Sequence, residues 1–299
     1  MTLPISFLII FFAFFTGNPQ TIPSAKLETI KWINGSSDCS ANKDVPIQIV
    51  RYNANTWILR QNKCIHYESP FMFLFLGETK ALLMDTGATA DSSSFPIQAT
   101  VDQLISIWQK ENNKKVKQLI VAHTHSHSDH WKGDGQFKNK PNTTVVGLTE
   151  ADLQQFFNFK NWPEQITSFD LGNRKVELIP IPGHDKTSIA LYDEQTQLLL
   201  TGDSFYPGRL YVRDWMAFKK SIQRLVDFTA NHKISYLVGN HIEMSTTAGK
   251  DYTTGSTWHP EEHSLPLAID DLNILNRWLN ESSDQPVYKV FNDFIIVPK

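Results

Sequence analysis

The chain has 299 residues, of which 41% are hydrophobic and 20% are charged, and its formal net charge is −3. This composition is sufficient for a buried core in one large or two small domains and excludes extensive disorder. Lysine and arginine are spread along the chain, which argues against a nucleic acid as the main partner because phosphate binding needs concentrated positive charge.

An apolar run from Ile5 to Phe15 lies close to the N-terminus and ends in a polar stretch. The run is too short to cross a bilayer as a helix and has the length of the hydrophobic segment of an export signal. We expect residues 1–20 to be a signal peptide and residues 21–299 to be a single exported domain, periplasmic or secreted, without stable membrane insertion. No Lys or Arg precedes the run and no clear cleavage site follows it, so an uncleaved membrane anchor is the alternative.

The only two cysteines, Cys39 and Cys64, both lie in the N-terminal part of the chain. In an oxidising compartment they can close one disulfide loop, and an export signal implies such a compartment. The sequence therefore favours a disulfide, with two free thiols as the alternative.

Short apolar segments predict strands, and apolar residues at helical spacing predict amphipathic helices between them. The predicted strands are 47–52, 56–60, 71–76, 81–84, 118–122, 144–147, 175–181, 189–192, 198–201, 236–238, 288–290 and 294–297. The predicted helices are 96–112, 150–159, 218–229 and 266–279. Residues 242–263 are too long for a simple connection and are predicted to be a lid or a substrate loop.

Directly after the strand at 118–122, four histidines and one aspartate occur within eight residues, which packing alone does not require. Four of these residues form the pattern His-x-His-x-Asp-His. In a loop that leaves a strand end, His125 and His127 can face one metal ion while Asp129 and His130 reach a second ion beside it. His123 falls outside this register and is expected to end the strand or to support a ligand. A solvated histidine-rich tract is the alternative interpretation.

Three later strands repeat the same arrangement, in which an apolar run is followed by a glycine and then by a residue able to bind a metal. Glycine allows the backbone to turn sharply, so that the next side chain points into a shared cleft. The residues placed in this way are His184, Asp203 and His241. A strand, helix and strand also lead into the histidine cluster, which places it at the carboxyl end of a strand, where open sheets usually have their sites.

Together, the four strand ends supply a complete set of ligands for two metal ions. The predicted ligands are His125, His127 and His184 for the first ion, Asp129, His130 and His241 for the second, and Asp203 between both. Nitrogen-rich sites of this kind favour two Zn²⁺ ions, with iron or manganese as alternatives. A water molecule shared by two dications loses a proton near neutral pH and becomes a nucleophile towards a carbonyl or phosphoryl group.

With these motifs in order, the chain resembles the metallo-β-lactamase superfamily of metallohydrolases over most of residues 45–245. The motifs that carry the resemblance are Asp85-Thr86-Gly87, Thr124 to His130, Gly183-His184, Thr201-Gly202-Asp203 and Gly239-Asn240-His241. The resemblance implies a mixed fold of the α+β or α/β class, a four-layer αββα sandwich with the dinuclear site at one edge. It also implies that Asp85 is a buried residue that orients the ligand loop by accepting hydrogen bonds. We take Asp129 and Asp85 as the catalytic candidates, and a simple turn aspartate is the alternative for Asp85.

Within this superfamily, an aspartate at position 203 resembles the hydroxyacylglutathione hydrolase and lactonase-like types, whereas true zinc β-lactamases usually have Cys or Ser there. Together with the expected signal peptide, the resemblance implies an exported dinuclear zinc hydrolase in which metal-bound hydroxide attacks a small carbonyl substrate, an ester, thioester or lactone. The alternatives are a β-lactamase-like amide hydrolase and a non-hydrolytic iron redox or metal-binding protein. The chain departs from the thioesterase pattern because it lacks a basic cluster near the C-terminus for the carboxylates of glutathione.

Some residues near the expected cleft are candidates for contact with the substrate. They are Trp131, Tyr206, Arg209 and Tyr211. Trp131 can form a wall of the pocket, and the other three follow Asp203 closely enough to hold an anionic substrate; a structural aromatic and surface solvation are the respective alternatives. His259 and His263 lie in the long loop and are weaker candidates for metal binding.

Overall fold

A computed structural model describes residues 24–299. The predicted signal peptide lies outside the described residues. The strands are β1 (Ile47–Asn53), β2 (Thr56–Gln61), β3 (Phe71–Leu76), β4 (Lys80–Met84), β5 (Gln118–Ala122), β6 (Thr143–Val145), β7 (Thr167–Asp170), β8 (Lys175–Pro180), β9 (Ile189–Asp193), β10 (Leu198–Gly202), β11 (Arg209–Val212), β12 (Tyr236–Gly239), β13 (Pro266–Leu267), β14 (Lys289–Val290) and β15 (Ile295–Pro298). The α-helices are α1 (Ile97–Asn112), α2 (Ser128–Trp131), α3 (Glu150–Phe157), α4 (Trp215–Asn231) and α5 (Ile269–Glu281).

The strands form two large sheets and one small one. The first sheet contains β1 to β6 in chain order, antiparallel from β1 to β4 and parallel from β4 to β6. The second sheet has the order β13-β12-β10-β9-β8-β7, in which only the β10–β12 pair is parallel. In the third sheet, β15 lies between β11 and β14.

Side chains that point alternately to two buried faces of the central strands create the layers. Successive side chains of a strand point to opposite faces, so a strand that is apolar at every position packs on both sides. Along β3, Phe71, Phe73 and Phe75 pack between the two large sheets, whereas the intervening Met72 and Leu74 pack against α1. On the far side, the second sheet packs against α4 and α5. This order of helix, sheet, sheet and helices confirms the predicted αββα sandwich.

The sequence predicted most elements within two residues of their bounds, but the starts of the last two helices were each wrong by three residues. Residues 266 and 267 form β13, and α5 begins only at Ile269, where the Asp271 carboxylate accepts the backbone N–H of Ala268 at 2.9 Å. The sequence also missed β7, β11 and α2. Strand β11 has only four residues, so its alternation of half-buried and buried side chains is too short to stand out in the sequence.

Two long connections are attached to the sandwich. Cys39 and Cys64 form a disulfide, as favoured by the sequence, with a Cα–Cα distance of 5.1 Å. The predicted lid or substrate loop at 242–263 is tied to β2, because the buried Arg60 guanidinium makes hydrogen bonds of 2.6 and 2.7 Å with the Glu262 carboxylate. No helix among residues 24–299 has the length and apolar character needed to span a membrane.

Candidate metal centre

The predicted ligands come together at one edge of the sandwich, where the carboxyl ends of β5, β10 and β12 meet. The glycines that precede two of the ligands are required by local geometry. Gly202 has φ of 54°, and a Cβ there would lie 3.1 Å from the side chain of Thr124. A side chain at Gly239 would overlap Tyr206. These positions therefore favour glycine because of backbone conformation and close approach.

The first group consists of His125, His127 and His184. The Nε2 atom of His184 lies 3.2 Å from Nε2 of His125 and 2.9 Å from Nδ1 of His127, and the latter two atoms are 2.9 Å apart. Ligand atoms around a tetrahedral zinc ion with bonds near 2.0–2.1 Å are about 3.3 Å apart. The three imidazoles therefore have the spacing of one face of such a site.

The second group consists of Asp129, His130, Asp203 and His241. Oδ2 of Asp129 lies 3.2 Å from Nε2 of His130 and 3.3 Å from Nε2 of His241. The short helix α2 begins immediately after His127, so Asp129 and His130 lie on a helical turn and face a different point from the two preceding histidines. Within each of the two groups, all ligand atoms lie within 4.8 Å of one another.

Asp203 lies between the two groups. Its carboxylate oxygens are 3.5 Å from Nε2 of His130 and 3.4 Å from Nε2 of His241. Oδ2 is also 3.9 Å from Nε2 of His125 and 3.8 Å from Nε2 of His184. Among the seven predicted ligands, this is the side chain placed to serve both groups.

Backbone carbonyls fix the orientation of one histidine in each group. Nδ1 of His184 donates to the carbonyl oxygen of Tyr211 at 2.8 Å, and Nδ1 of His241 donates to that of Glu68 at 2.9 Å. A carbonyl oxygen only accepts hydrogen bonds, so in each ring Nδ1 carries a proton and the Nε2 atom faces the centre. This is the arrangement that outer partners impose on metal-binding histidines.

An unsatisfied buried atom indicates that the centre fits a cation. Oδ1 of Asp203 is buried without a hydrogen bond partner in the described part of the chain. Buried polar atoms are normally hydrogen-bonded, so each exception needs an explanation. Converging imidazole lone pairs and carboxylates suit a divalent metal ion, which accepts electron pairs from all of them.

The electrostatics agree with this donor chemistry. Burial raises the pKa of Asp203, but the positive charges of His241 and His130 outweigh burial and hold that pKa well below its usual range. The pKa of Asp129 is low for the same reason, because attraction to His130 and His241 exceeds the effect of burial. Burial lowers the pKa values of His125 and His184, so these rings are neutral at pH 7. The centre thus offers two carboxylates together with the neutral imidazoles of His125 and His184.

Comparison with known proteins agrees with the fold and the order of the motifs. A family model described as the Metallo-beta-lactamase superfamily matches residues 68–247, more than half of the chain, and this range contains all seven predicted ligands. The chain belongs to the metallo-beta-lactamase superfamily.

Curated relatives in this superfamily are distant. Acyl-coenzyme A thioesterase MBLAC2 from Bos taurus is 22% identical over 204 residues, covering 57% of this chain and 72% of that protein. Hydroxyacylglutathione hydrolase from Methylococcus capsulatus is 27% identical over 117 residues, 38% of this chain and 45% of that protein. The metallo-beta-lactamase FIM-1 from Pseudomonas aeruginosa, solved in a mono-zinc form, shares the fold with a TM-score of 0.51 and 12% identity, covering 80% of this chain and 97% of that chain.

In this metallo-beta-lactamase fold, Asp85 joins the ligand loop to the second sheet. It is fully buried and accepts hydrogen bonds from the backbone N–H of Thr124 at 2.8 Å and from Nδ2 of Asn240 at 2.7 Å. Its Oδ2 atom also lies 3.3 Å from Nδ1 of His130. Asp85 therefore contacts residues next to ligands of both sheets, without pointing into either metal group.

Replacing Asp85 with asparagine should weaken zinc binding by about 10- to 100-fold, the usual cost of losing an outer partner. In either orientation, the Asn side chain would point its N–H₂ group at a hydrogen-bond donor that Asp85 now accepts from. The backbone should tolerate the substitution, because Asn adopts the left-handed φ of 68° found at this position. Zinc titration of the metal-free variant measures the effect. Asp152→Asn, at the exposed start of α3, is the control and should bind zinc as the unsubstituted chain does. Unchanged affinity in Asp85→Asn would remove the orienting role.

His123, Trp131 and the later histidines lie outside both groups. Nε2 of His123 is 2.9 Å from Oδ1 of Asp134, so this ring supports the loop from behind. Trp131 is half-buried, donates from Nε1 to the carbonyl oxygen of Ser126 at 2.8 Å, and is available to form part of a wall. His259 contacts Glu262 and His263 contacts Asp293, which separates both from the candidate centre.

Two of the expected substrate contacts are engaged within the protein. Tyr206 is buried and its hydroxyl donates to the carbonyl oxygen of Arg209 at 2.7 Å; burial and the charge of Glu243 raise the pKa of Tyr206 well above its usual range. The Arg209 guanidinium is bound by the carboxylates of Glu243 and Asp251. These contacts argue against the expected role of both residues in holding an anionic substrate. Tyr211 remains half-buried, and its ring lies 4.4 Å from Nζ of Lys299.

Apart from Asp85, sequence reasoning missed the groups that orient the ligands. The carbonyl oxygens of Glu68 and Tyr211 have no side-chain signature, so no motif indicates them. Asn240 stands inside a motif that the sequence does reveal, between Gly239 and His241. Its position next to a ligand was the available signal for a supporting role.

Proposed function

We propose that this chain is a metal-dependent hydrolase that binds two zinc ions and cleaves a small carbonyl substrate, an ester, thioester or lactone. The observation that carries the proposal is the position of Asp203 between two groups of ligand-type side chains. The proposed ligands are His125, His127 and His184 for one ion, Asp129, His130 and His241 for the other, and Asp203 for both.

Two bound divalent ions supply an acidified water molecule and a polarised substrate carbonyl. The chain's own residues set up this chemistry. Asp129 and Asp203 are held in their charged forms and offset part of the positive charge in a buried place. His184 and His241 are oriented by backbone carbonyls so that their Nε2 atoms face the centre. Half-buried Trp131 and Tyr211 are the proposed walls for the substrate.

The substrate class is supported by two observations. The relatives are named as an acyl-coenzyme A thioesterase and a hydroxyacylglutathione hydrolase, both of which act on acyl groups. Position 203 holds an aspartate rather than the Cys or Ser of the zinc β-lactamase type. We therefore propose ester, thioester or lactone cleavage ahead of amide hydrolysis, with a small molecule rather than a nucleic acid as the partner.

We also propose that the protein is exported. The Cys39–Cys64 disulfide supports this proposal, because disulfides persist mainly in oxidising compartments. Cell fractionation and the N-terminal mass of the isolated protein test it. Export and removal of about the first 20 residues are expected from the length of a signal segment. Retention in the reducing cytoplasm would contradict the proposal.

Purified protein should contain about two zinc ions per chain, as a two-metal site requires, and should hydrolyse members of an ester, thioester and lactone panel. Elemental analysis and rate measurements check this prediction. Chelation should abolish hydrolysis and zinc should restore it. His125→Gln should lose activity, whereas His232→Gln should retain it, because His232 contacts Phe228 and lies outside both groups.

Several results would contradict the proposal. Zinc-loaded protein that is inert on the whole panel would overturn carbonyl hydrolysis. Selective cleavage of a lactam would favour the β-lactamase-like alternative. Stoichiometric iron together with oxygen consumption would favour the redox alternative.

A further inference from the structure

The loop between β2 and β3, residues 62–70, reaches the candidate metal centre. We call it the cross-linked loop, because Cys64 within it is bonded to Cys39. Its contact with the centre is the hydrogen bond of 2.9 Å from Nδ1 of His241 to the carbonyl oxygen of Glu68. The next contacts along the chain are also with the second sheet, since Phe71 N–H donates to the carbonyl oxygen of Asn240 at 2.8 Å.

This loop has little regular structure, so a few specific contacts determine its shape. The disulfide joins it to a segment 25 residues earlier. Nδ2 of Asn62 donates to the carbonyl oxygen of Val45 at 3.2 Å, and Nζ of the buried Lys63 donates to that of Tyr67 at 2.8 Å. A covalent bond and buried polar contacts thus fix the part of the loop that precedes Glu68 in the chain.

The direction of the Glu68 carbonyl depends on the next residue. That carbonyl belongs to the peptide group joining Glu68 to Ser69, and Ser69 is buried with a left-handed φ of 47°. The Ser69 hydroxyl donates to the carbonyl oxygen of Gln61 at the start of the loop. A left-handed conformation is uncommon outside glycine and persists only where its surroundings impose it.

The other metal group has a different support. Nδ1 of His184 donates to the carbonyl oxygen of Tyr211, which lies in β11 and is paired with Val297 of β15. His125 and His127 lie on the loop after β5. The described contacts give the cross-linked loop no hydrogen bond to any of these three histidines.

We propose that the cross-linked loop is a positioning element for the group of Asp129, His130 and His241, and that the Cys39–Cys64 bond maintains it. The loop turns His241 through the Glu68 carbonyl, and the first group assembles without it. This inference rests on the proposed two-metal function and adds that the two ions depend on different parts of the fold.

The double substitution Cys39→Ser and Cys64→Ser should weaken zinc binding at the second group by about 10- to 100-fold, the cost of losing an outer partner. Binding at the first group should be unchanged. Calorimetric titration of the metal-free full chain with zinc measures both affinities. Imidazole NMR signals of His184 and His241 identify which group is filled at each step, so the test does not depend on activity.

A second pair of variants keeps the disulfide and remains informative if the double-serine protein does not fold. Ser69→Gly and Ser69→Val both remove the hydroxyl, but only the β-branched valine opposes φ of 47°. Ser69→Val should therefore weaken zinc binding at the second group and leave binding at the first group unchanged. Ser69→Gly should bind zinc more like the unsubstituted chain.

The outcomes separate this inference from the proposed function. Fewer than two zinc ions bound by the unsubstituted, disulfide-bonded chain would overturn both proposals. Suppose that the unsubstituted chain binds two zinc ions and a folded double-serine variant binds zinc at the second group equally tightly. This result would overturn only the role of the loop. Equal second-group affinities of the two Ser69 variants would do the same. Equal weakening of both groups would also overturn it, because it would indicate general loosening rather than positioning.

Discussion

Replacing Asp203 with alanine should abolish binding of the second zinc ion and reduce hydrolysis by at least about 10²- to 10³-fold, the cost of one preorganised electrostatic partner. The reason is its place between the groups, with carboxylate oxygens 3.4 Å from His241 and 3.8 Å from His184. Without this negative charge, less of the electrostatic repulsion between two bound dications would be offset. Zinc stoichiometry and kcat of the purified variant are the measurements.

Asp203→Asn is the matched control for the Asp203→Ala prediction. It keeps the size of the side chain and one carbonyl oxygen but removes the charge, so its zinc content and rate should fall between those of the alanine variant and the unsubstituted chain. The unfolding temperatures of the metal-free variants should stay close to that of the metal-free unsubstituted chain, although their zinc uptake falls. An alanine variant that retains both ions would remove Asp203 from its proposed role.

The sequence predicted the convergence of the ligands because each set of ligands comes soon after the carboxyl end of an apolar strand. The run at 118–122 is followed by the histidine cluster, and the strand that ends at Gly239 is followed almost directly by His241. When such strands lie in two facing sheets, their carboxyl ends define one edge, and short connections keep the ligands there. Strand bounds, glycine turns and ligand types are all local signals, and these were predicted well.

The environment of the ligands was not predictable from local signals. Glu68 lies 173 residues from His241, and it acts through a backbone carbonyl that every residue possesses. Arg209 has a polar side chain that is compatible with a substrate contact, and only folding brings Glu243 and Asp251 beside it. Contacts between distant segments decide whether a charged side chain is free or already paired, and a single sequence does not contain that information.

The far end of the sandwich has a buried ion pair that involves both sheets. Arg174, between β7 and β8, makes hydrogen bonds of 2.9 and 2.7 Å with the carboxylate of Asp193 in β9. Its guanidinium also donates to the carbonyl oxygens of Asn55 and Leu76 in the first sheet, at 2.7 and 3.1 Å. Leu76 ends β3, whereas Phe71 begins β3 beside the metal centre, so the two sites are about 17 Å apart along this strand.

Replacing Arg174 with methionine should lower the free energy of unfolding by about 3–5 kcal/mol, the cost of breaking a buried ion pair by removing one partner. Methionine fills much of the space, but the fully buried Asp193 carboxylate loses its cation, and two carbonyl oxygens lose a donor. Denaturant unfolding of the metal-free chain measures the loss. At denaturant concentrations at which the variant is still folded, it should bind zinc as the unsubstituted chain does.

Lys114→Met is the control for Arg174→Met. Lys114 forms its ion pair with Glu78, and the two side chains are 39% and 45% exposed, so its loss should lower the free energy of unfolding far less than the loss of Arg174. Similar losses in the two variants would show that burial does not set the strength of the Arg174 pair. Weaker zinc binding by folded Arg174→Met would show that this pair acts on the metal centre through β3. The positions of Asp203 and Arg174 at opposite ends of the sheets predict that the first affects metal binding and catalysis and the second affects stability. That result would contradict this prediction.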